Sequence, residues 1–503
     1  MAEKSKLDTI EYTAEVNNTS GYEDAGLPSP PTLTPEQEKT LWKKVDRRIL
    51  PILTIMYFCS FLDRGNAKLQ GIVTQLDLTG NKYNIALLIT FVFKPYCLCE
   101  CPANMVLKKF KPSRWLPGIT LLWGIIMTLM GLVKTYPQLV GTRICLGVAE
   151  AGLFPGVVYY LTLWYPRHML QFRVALFYGG ATIAGAFSGL LAFGISYMSG
   201  TAGLLGWSWI FIIEGLTTVV VGCIAFFGEF LRVMPLLVDF PSTANFLTLE
   251  ERSYIIWKKK YDNSSVGEEE HFEMRHLVAA FTDWQVWVLI LVYMSISAPL
   301  CGISLFLPSL INGFGYDTAM SQLLTVPPYI CATIVLVIFA VWSDRIKKRS
   351  PFILSGLVMC TIGFAINISN APNGVKYFGT FFMASGTYGT FPGVVAWLGN
   401  NLAGQYKRAV GMALQIGIGN FSGAIACNIY LSKDEPRYIM GHALELMFVG
   451  IGYTFLPIAV LAYRHINNKR DANQREMMKK GIVYSDEDMT RMGDRAPDFR
   501  YTL

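Results

Sequence analysis

The chain has 503 residues, 52% of them apolar and only 16% charged, and its formal net charge is +7. Ordinary soluble domains carry about 25% charged residues. The deficit excludes a disordered chain, +7 over this length is no electrostatic footprint for nucleic acid, and ten cysteines are too few for a disulfide scaffold.

Residues 1–40 are polar and carry Pro28, Pro30, Pro31 and Pro35, a composition that predicts a disordered tail. They hold no apolar run of the kind found in a cleaved signal peptide. Apolar blocks of about 18–25 residues follow, the length that crosses about 30 Å of hydrocarbon at 1.5 Å per residue. They predict twelve spans: 49–66, 83–107, 115–134, 138–164, 172–198, 208–231, 285–311, 321–342, 351–369, 375–400, 409–431 and 440–463. The fold class is therefore an all-α polytopic membrane protein embedded in a lipid bilayer. Its organisation reads as a tail (1–40), a six-helix half (41–231), a polar connection (232–284), a second six-helix half (285–465) and a charged tail expected to be disordered (466–503).

Orientation follows from the Lys/Arg bias of the short loops. One side holds Lys108, Lys109, Lys111, Arg114, Arg167, Arg173, Arg345, Lys347, Lys348, Arg349, Lys407 and Arg408; the other holds Lys68, Lys82, Lys134, Lys376, Lys433 and Arg437. The richer side is predicted to be cytoplasmic, which puts both termini and the long connection there.

A repeat supports two equivalent halves. Phe154-Pro155-Gly156-Val157-Val158 in span 4 recurs as Phe391-Pro392-Gly393-Val394-Val395 in span 10, and Gln171-Phe172-Arg173 and Gln405-Tyr406-Lys407-Arg408 follow the two copies. Parallel six-span repeats of this kind build the major facilitator fold, with substrate held between the halves near the bilayer midplane.

Ionisable groups inside the bilayer are expensive and mark candidate sites. Arg143 and Glu150 are seven residues apart, two helical turns, so they share a face. A desolvated carboxylate beside a permanent cation suits proton carriage; the alternative is an arginine that anchors an inter-helix network. Asp63 and Arg64 near one end of span 1 read either as a rim pair or as a proton-coupling acid and a substrate contact. Lys94, mid-span 2, needs a partner that Glu100 on the same helix cannot supply; a bound anion, Asp63 or Glu150 could. Glu214 reads as interfacial. Glu445, with His442, is a second candidate titrating site in span 12, with a packing role as the alternative. Asn400, Asn401, Gln415 and Asn420 are candidate hydrogen-bonding contacts for substrate. Glycines in spans 5 and 11 suit close, sliding helix packing. No G-x-x-x-x-G-K-[ST] loop, metal-ligand set or catalytic triad is legible, so no cofactor, no metal and no enzyme activity are expected.

Several motifs resemble a known family. They are Leu62-Asp63-Arg64-Gly65-Asn66, Glu100-Cys101-Pro102-Ala103-Asn104, the run Arg143 to Gly156, Trp397-Leu398-Gly399-Asn400-Asn401, Glu435-Pro436-Arg437-Tyr438 and Gly441-His442. From about Leu41 to Asn467 the chain is similar to the fungal branch of the anion:cation symporters within the major facilitator superfamily, which includes allantoate, nicotinate, pantothenate and biotin permeases. The resemblance implies a small organic anion moved with protons or sodium, roles for Arg143 and Glu150, and the plasma membrane as the default location; a monomer is expected. Asp344-Arg345 is similar to the superfamily's gating motif. Lys94 and the stretch Gly228 to Leu237 depart from the family pattern. The leading expectation is proton-coupled import of a carboxylate by alternating access, with Glu150 protonated and the anion held by Arg143, Arg64 or Lys94; a proton-antiport exporter and a non-transporting nutrient sensor are the alternatives.

Overall fold

The computed structural model describes residues 33–62, 72–76, 78, 111–150, 152–230, 237–261, 274–431, 434–435, 437–480 and 492–503. Span 2, Asp63, Arg64, Lys94 and Glu100 lie outside them, as does most of Gly228 to Leu237.

The described residues form helices. Nine are long and apolar enough to cross a membrane, among them Pro112–Met130, Tyr136–Trp164, Trp284–Asn312 and Tyr406–Ala426. Two more, Pro35–Leu62 (28 residues) and Asn373–Asn401 (29 residues), are as long but less apolar. They occupy the places of spans 1 and 10. The architecture is thus the all-helical polytopic fold expected, and with span 2 it accommodates twelve spans.

Burial sorts the helices. The apolar windows of spans 4, 7 and 11 are 82%, 78% and 78% buried, whereas those of spans 8 and 12 are 33% buried. Spans buried on all sides form the centre, and spans with an open apolar flank face lipid. Glycine seams pair the outer helices. Spans 3 and 6 approach through Leu121–Gly222, Gly124–Val219, Thr128–Gly215 and Gly131–Ile212, stepping regularly as antiparallel helices must. Spans 9 and 10 do the same through Gly356–Thr390, Cys360–Gly386, Gly363–Met383 and Asn367–Gly379. Small residues let the backbones come this close.

A third seam joins the halves. Span 5 (Arg167–Ser196) runs antiparallel to span 8 (Val326–Ile346) along its length. Gln171 meets Ser343, Phe172 meets Asp344, Gly179 meets Leu336, Thr182 meets Thr333, and Gly185 meets Tyr329. The end of the bundle that carries Gln171 and Ser343 is called the lower end below.

Two boundaries differ from the sequence reading, and the polar connection holds helices of its own. The first helix starts at Pro35, so residues 35–40 are not tail. A Thr34–Gln37 hydrogen-bond pair closes its first turn. The polar connection contains helices Leu249–Tyr261 and Met274–Phe281. Past Tyr463, where the charged end was expected to be disordered, the described residues are structured: the last long helix is Ile439–Lys480, and residues 492–503 pack on the bundle with Asp494, Ala496, Phe499 and Tyr501 buried. Charge density predicted disorder there, but these charges find buried partners.

Candidate functional site

A cavity of about 50 Å³ lies between the halves, lined by Tyr57, Ser60 and Phe61 of span 1, Glu150, Leu153 and Phe154 of span 4, Tyr178 of span 5, Tyr293, Ser297, Leu300 and Cys301 of span 7, Phe391 of span 10 and Asn420. At about 10–15 Å³ per water, it holds about three to five waters. Aromatic rings dominate its wall. Tyr178 stacks on Phe391 across the half interface with centroids 4.7 Å apart, and Tyr293 lies 5.1 Å from Phe391.

The sequence repeat explains one contact. Phe154 and Phe391 open the two copies of Phe-Pro-Gly-Val-Val, and their rings meet with centroids 5.8 Å apart. Equivalent positions of two halves related by a pseudo-two-fold meet where that axis passes between them. The recurrence was therefore the sequence signal for the cavity wall, although the sequence reading singled out charges and amides rather than rings.

The structure brings together only some of the predicted residues. Glu150 and Asn420 line the cavity, from opposite halves. The Asn420 Oδ1 accepts the Tyr293 hydroxyl at 3.1 Å. Arg143 is buried but is not among the described lining residues; its guanidinium sits 5.4 Å from the centroid of Phe211 in span 6, a cation–π contact. Gln415 donates its amide to the Leu289 carbonyl at 3.2 Å, bracing span 11 on span 7. Asn400 is buried away from the cavity lining. Its neighbour Asn401 holds the segment near Thr502. Glu445 is fully buried and packs against Gly302, one residue beyond the cavity-lining Cys301. Among the described residues neither of its oxygens has a hydrogen-bond partner. His442, one turn earlier, faces the Tyr430 hydroxyl at 3.1 Å. Glu214 is buried rather than interfacial.

Of the two gating candidates, Asp344 forms an ion pair with Arg349 at 2.6 Å, while Arg345 is exposed. Lys347, in the left-handed conformation at φ +57°, ends span 8 and reverses the chain, so the residue five positions on returns to Asp344. The other Asp344 oxygen accepts the Phe172 amide of span 5 at 3.0 Å, and Ser343 donates to Gln171 at 2.8 Å. These bonds close a latch between the halves at the lower end. Beside it Arg173 grips Asp46 through two bonds of 3.1 and 3.0 Å, tying span 5 to span 1. Gln171, which follows the first repeat copy, was the sequence hint for this latch.

A second lower-end clamp lies in the first half. Lys258 pairs with Glu38, and Lys44 with Glu251 at 2.9 Å, so the helix Leu249–Tyr261 is strapped to the start of the first helix. Burial works to raise the Glu38 carboxyl, but hydrogen bonds from Lys258, Trp42 and Tyr254 outweigh it and hold it below its ordinary value. Glu251 is likewise lowered: burial is opposed by bonds from Lys44 and the Thr248 amide.

Comparison with known proteins gives a consistent result. The profile of the Major Facilitator Superfamily matches residues 53–427. An uncharacterised transporter of Schizosaccharomyces pombe is 34% identical over 98% of this chain and 97% of its own length. The high-affinity nicotinic acid transporter of Saccharomyces cerevisiae is 31% identical over 95% of this chain and 87% of its own. Among solved structures, a bacterial homologue of the human lysosomal transporter Spinster, in an inward-facing and unoccupied conformation, superposes with a TM-score of 0.56. It is 14% identical and covers 85% of this chain and 96% of its own, a likeness of fold alone.

Proposed function

The chain belongs to the major facilitator superfamily of membrane transporters, and from that premise we propose that it imports a small organic anion together with protons by alternating access. The observation that carries this reading is Glu150: a carboxylate on the wall of the cavity between the halves, opposite the amide of Asn420. A carboxylate in such a place changes its affinity for a proton when the cavity exchanges one solvent face for the other.

In the proposed cycle Glu150 is protonated while the cavity faces outward. The anion's countercharge comes from Arg64 and Lys94, with Arg143, two turns from Glu150, setting the local field. Asn420 supplies a hydrogen bond. Asp63 and Glu445 are the further acids of the proton path. The halves then rock, the latch at Asp344 opens, and anion and proton leave on the other side. Proton and anion must each bind one state better than the other, or nothing is coupled. The likeness to a nicotinic acid transporter supports a ring-bearing monocarboxylate as the first candidate. The aromatic wall suits such a ring, since flat rings pack well on Tyr and Phe faces.

The test is uptake of labelled nicotinate, pantothenate, biotin and allantoate into yeast lacking its own permeases, at external pH 5 and 7, with and without a protonophore. Acid-stimulated, protonophore-sensitive uptake that Glu150→Gln abolishes is expected. Surface-localised protein that takes up none of the four refutes the import of this substrate class.

A further inference from the structure

The segment Gly493–Leu503 has no place in the transport cycle above, yet it is among the most densely bonded parts of the lower end. Thr502 is held by Asn401 of span 10 through its amide at 2.8 Å and its hydroxyl at 2.9 Å, and its carbonyl accepts from Trp397 at 2.8 Å. Tyr501 stacks on Tyr463 of span 12 at 4.8 Å and exchanges bonds with Asn467. Asp494 is buried on Lys407 of span 11 and accepts from Gln285 of span 7. The segment therefore contacts spans 7, 10, 11 and 12 of the second half.

Its final contact leads to the first half. The Leu503 carbonyl accepts the backbone amide of Arg349. That residue's guanidinium bonds Asp344 at 2.6 Å and the Ser343 hydroxyl at 2.9 Å. Asp344 and Ser343 are the two groups that reach across to Phe172 and Gln171. The chain of contacts runs from the docked segment, through Arg349, to the bonds that join the halves.

We propose that Gly493–Leu503 is a built-in clamp: docked on the second half, it fixes Arg349 over Asp344 and Ser343 and so favours the state in which the lower end is shut. Arg349 is the positioning residue of this device. Release of the segment frees the loop between spans 8 and 9, and the latch loses its third member. The clamp sets the equilibrium between the two states and thereby the rate of cycling. It requires the two halves to move against each other, but neither the substrate nor the proton coupling proposed above.

The test uses the full chain in lipid nanodiscs, with its cysteines replaced and spin labels at positions 114 and 345. Both positions are exposed at the lower end, one on each half. Pulsed electron resonance then reads the distance between them. Deleting 493–503 is expected to raise the long-distance population about tenfold, the size of one charge-assisted hydrogen bond. A synthetic peptide of residues 492–503 should restore the short distance. Asn401→Ala, which keeps the chain whole, should shift the distribution the same way. In an Arg349→Gln background the deletion should add nothing, because the link is already cut. An unchanged distribution in a monodisperse truncated protein overturns the proposal. If the truncated chain does not fold, an unchanged distribution in Asn401→Ala overturns it, and so does a full additional shift on combining Asn401→Ala with Arg349→Gln.

Discussion

Replacing Lys407 with methionine is the sharpest perturbation of the lower end. Its ammonium lies 2.6 Å from Asp283 and 2.7 Å from Asp494, with side-chain exposures of 8%, 5% and 5%. One cation thus neutralises two buried carboxylates, one at the N-cap of span 7 and one on the docked segment. Removing it leaves those carboxylates facing each other without a counter-charge. Breaking a buried pair in this way costs about 3–5 kcal/mol. The cheapest relief is for Asp494 to leave, because Asp283 is fixed by its cap to the Gln285 amide at 3.0 Å. Undocking of the segment should therefore become more favourable by about 10²- to 4 × 10³-fold. Trypsin cleavage at Arg495 and Arg500 reads this directly, since proteolysis follows the open population when reclosing is fast. Adding Asp494→Asn should restore much of the protection, as the remaining carboxylate no longer has a like charge opposite. Cleavage of Lys407→Met at the wild-type rate, or no recovery in the double variant, would falsify this account of the triad.

Three further outcomes are expected. The strap between Leu249–Tyr261 and the first helix should weaken in acid: Glu38 and Glu251 are held below their ordinary value of 4.5, so their contribution is complete above that value and is lost as pH falls through their lowered values. A spin label on the exposed Ser253 should gain mobility below about pH 4.5 and stay unchanged from pH 6 to 8; motion that rises with alkalinity would contradict it. Gly386→Ala should destabilise the chain in detergent by about 1–3 kcal/mol, because a Cβ there would sit 2.9 Å from the Cys360 backbone nitrogen, whereas Gly194→Ala, with open space, should match wild type; equal melting temperatures would reject the seam. Asp344→Asn keeps the shape of the latch but removes its charge, so it should reproduce the opening seen on deleting 493–503 in the same distance measurement, and a distribution like wild type would deny Asp344 that role.

How much was legible in the sequence depends on the range of the interaction. Phe154 and Phe391 were flagged by their recurrence, and the structure makes them ring neighbours. Glu150 and Asn420 were flagged as a charge and an amide inside spans, and both line the cavity. Arg143 obeyed the same rule and shares the helix face with Glu150 by period, yet the helix presents it to Phe211. Helical period says which residues point together but not which neighbouring helix stands there. Asp344 was marked by its loop, but its partner was not legible: the left-handed turn at Lys347 brings Arg349 back to it.

The sequence by itself determined the all-helical polytopic class and the duplication of the spans. Crossing a bilayer is a local requirement, a sum of transfer free energies over about twenty consecutive residues, and a duplicated half keeps its motif. Only the tertiary structure decided which charge meets which, and it turned the charged end of the chain from an apparent tail into a packed segment. The reason is physical: Lys407, Asp283 and Asp494 lie far apart in the chain and belong to three separate elements, and each alone reads as a solvated charge until packing brings the Lys407 ammonium within 3 Å of both carboxylates.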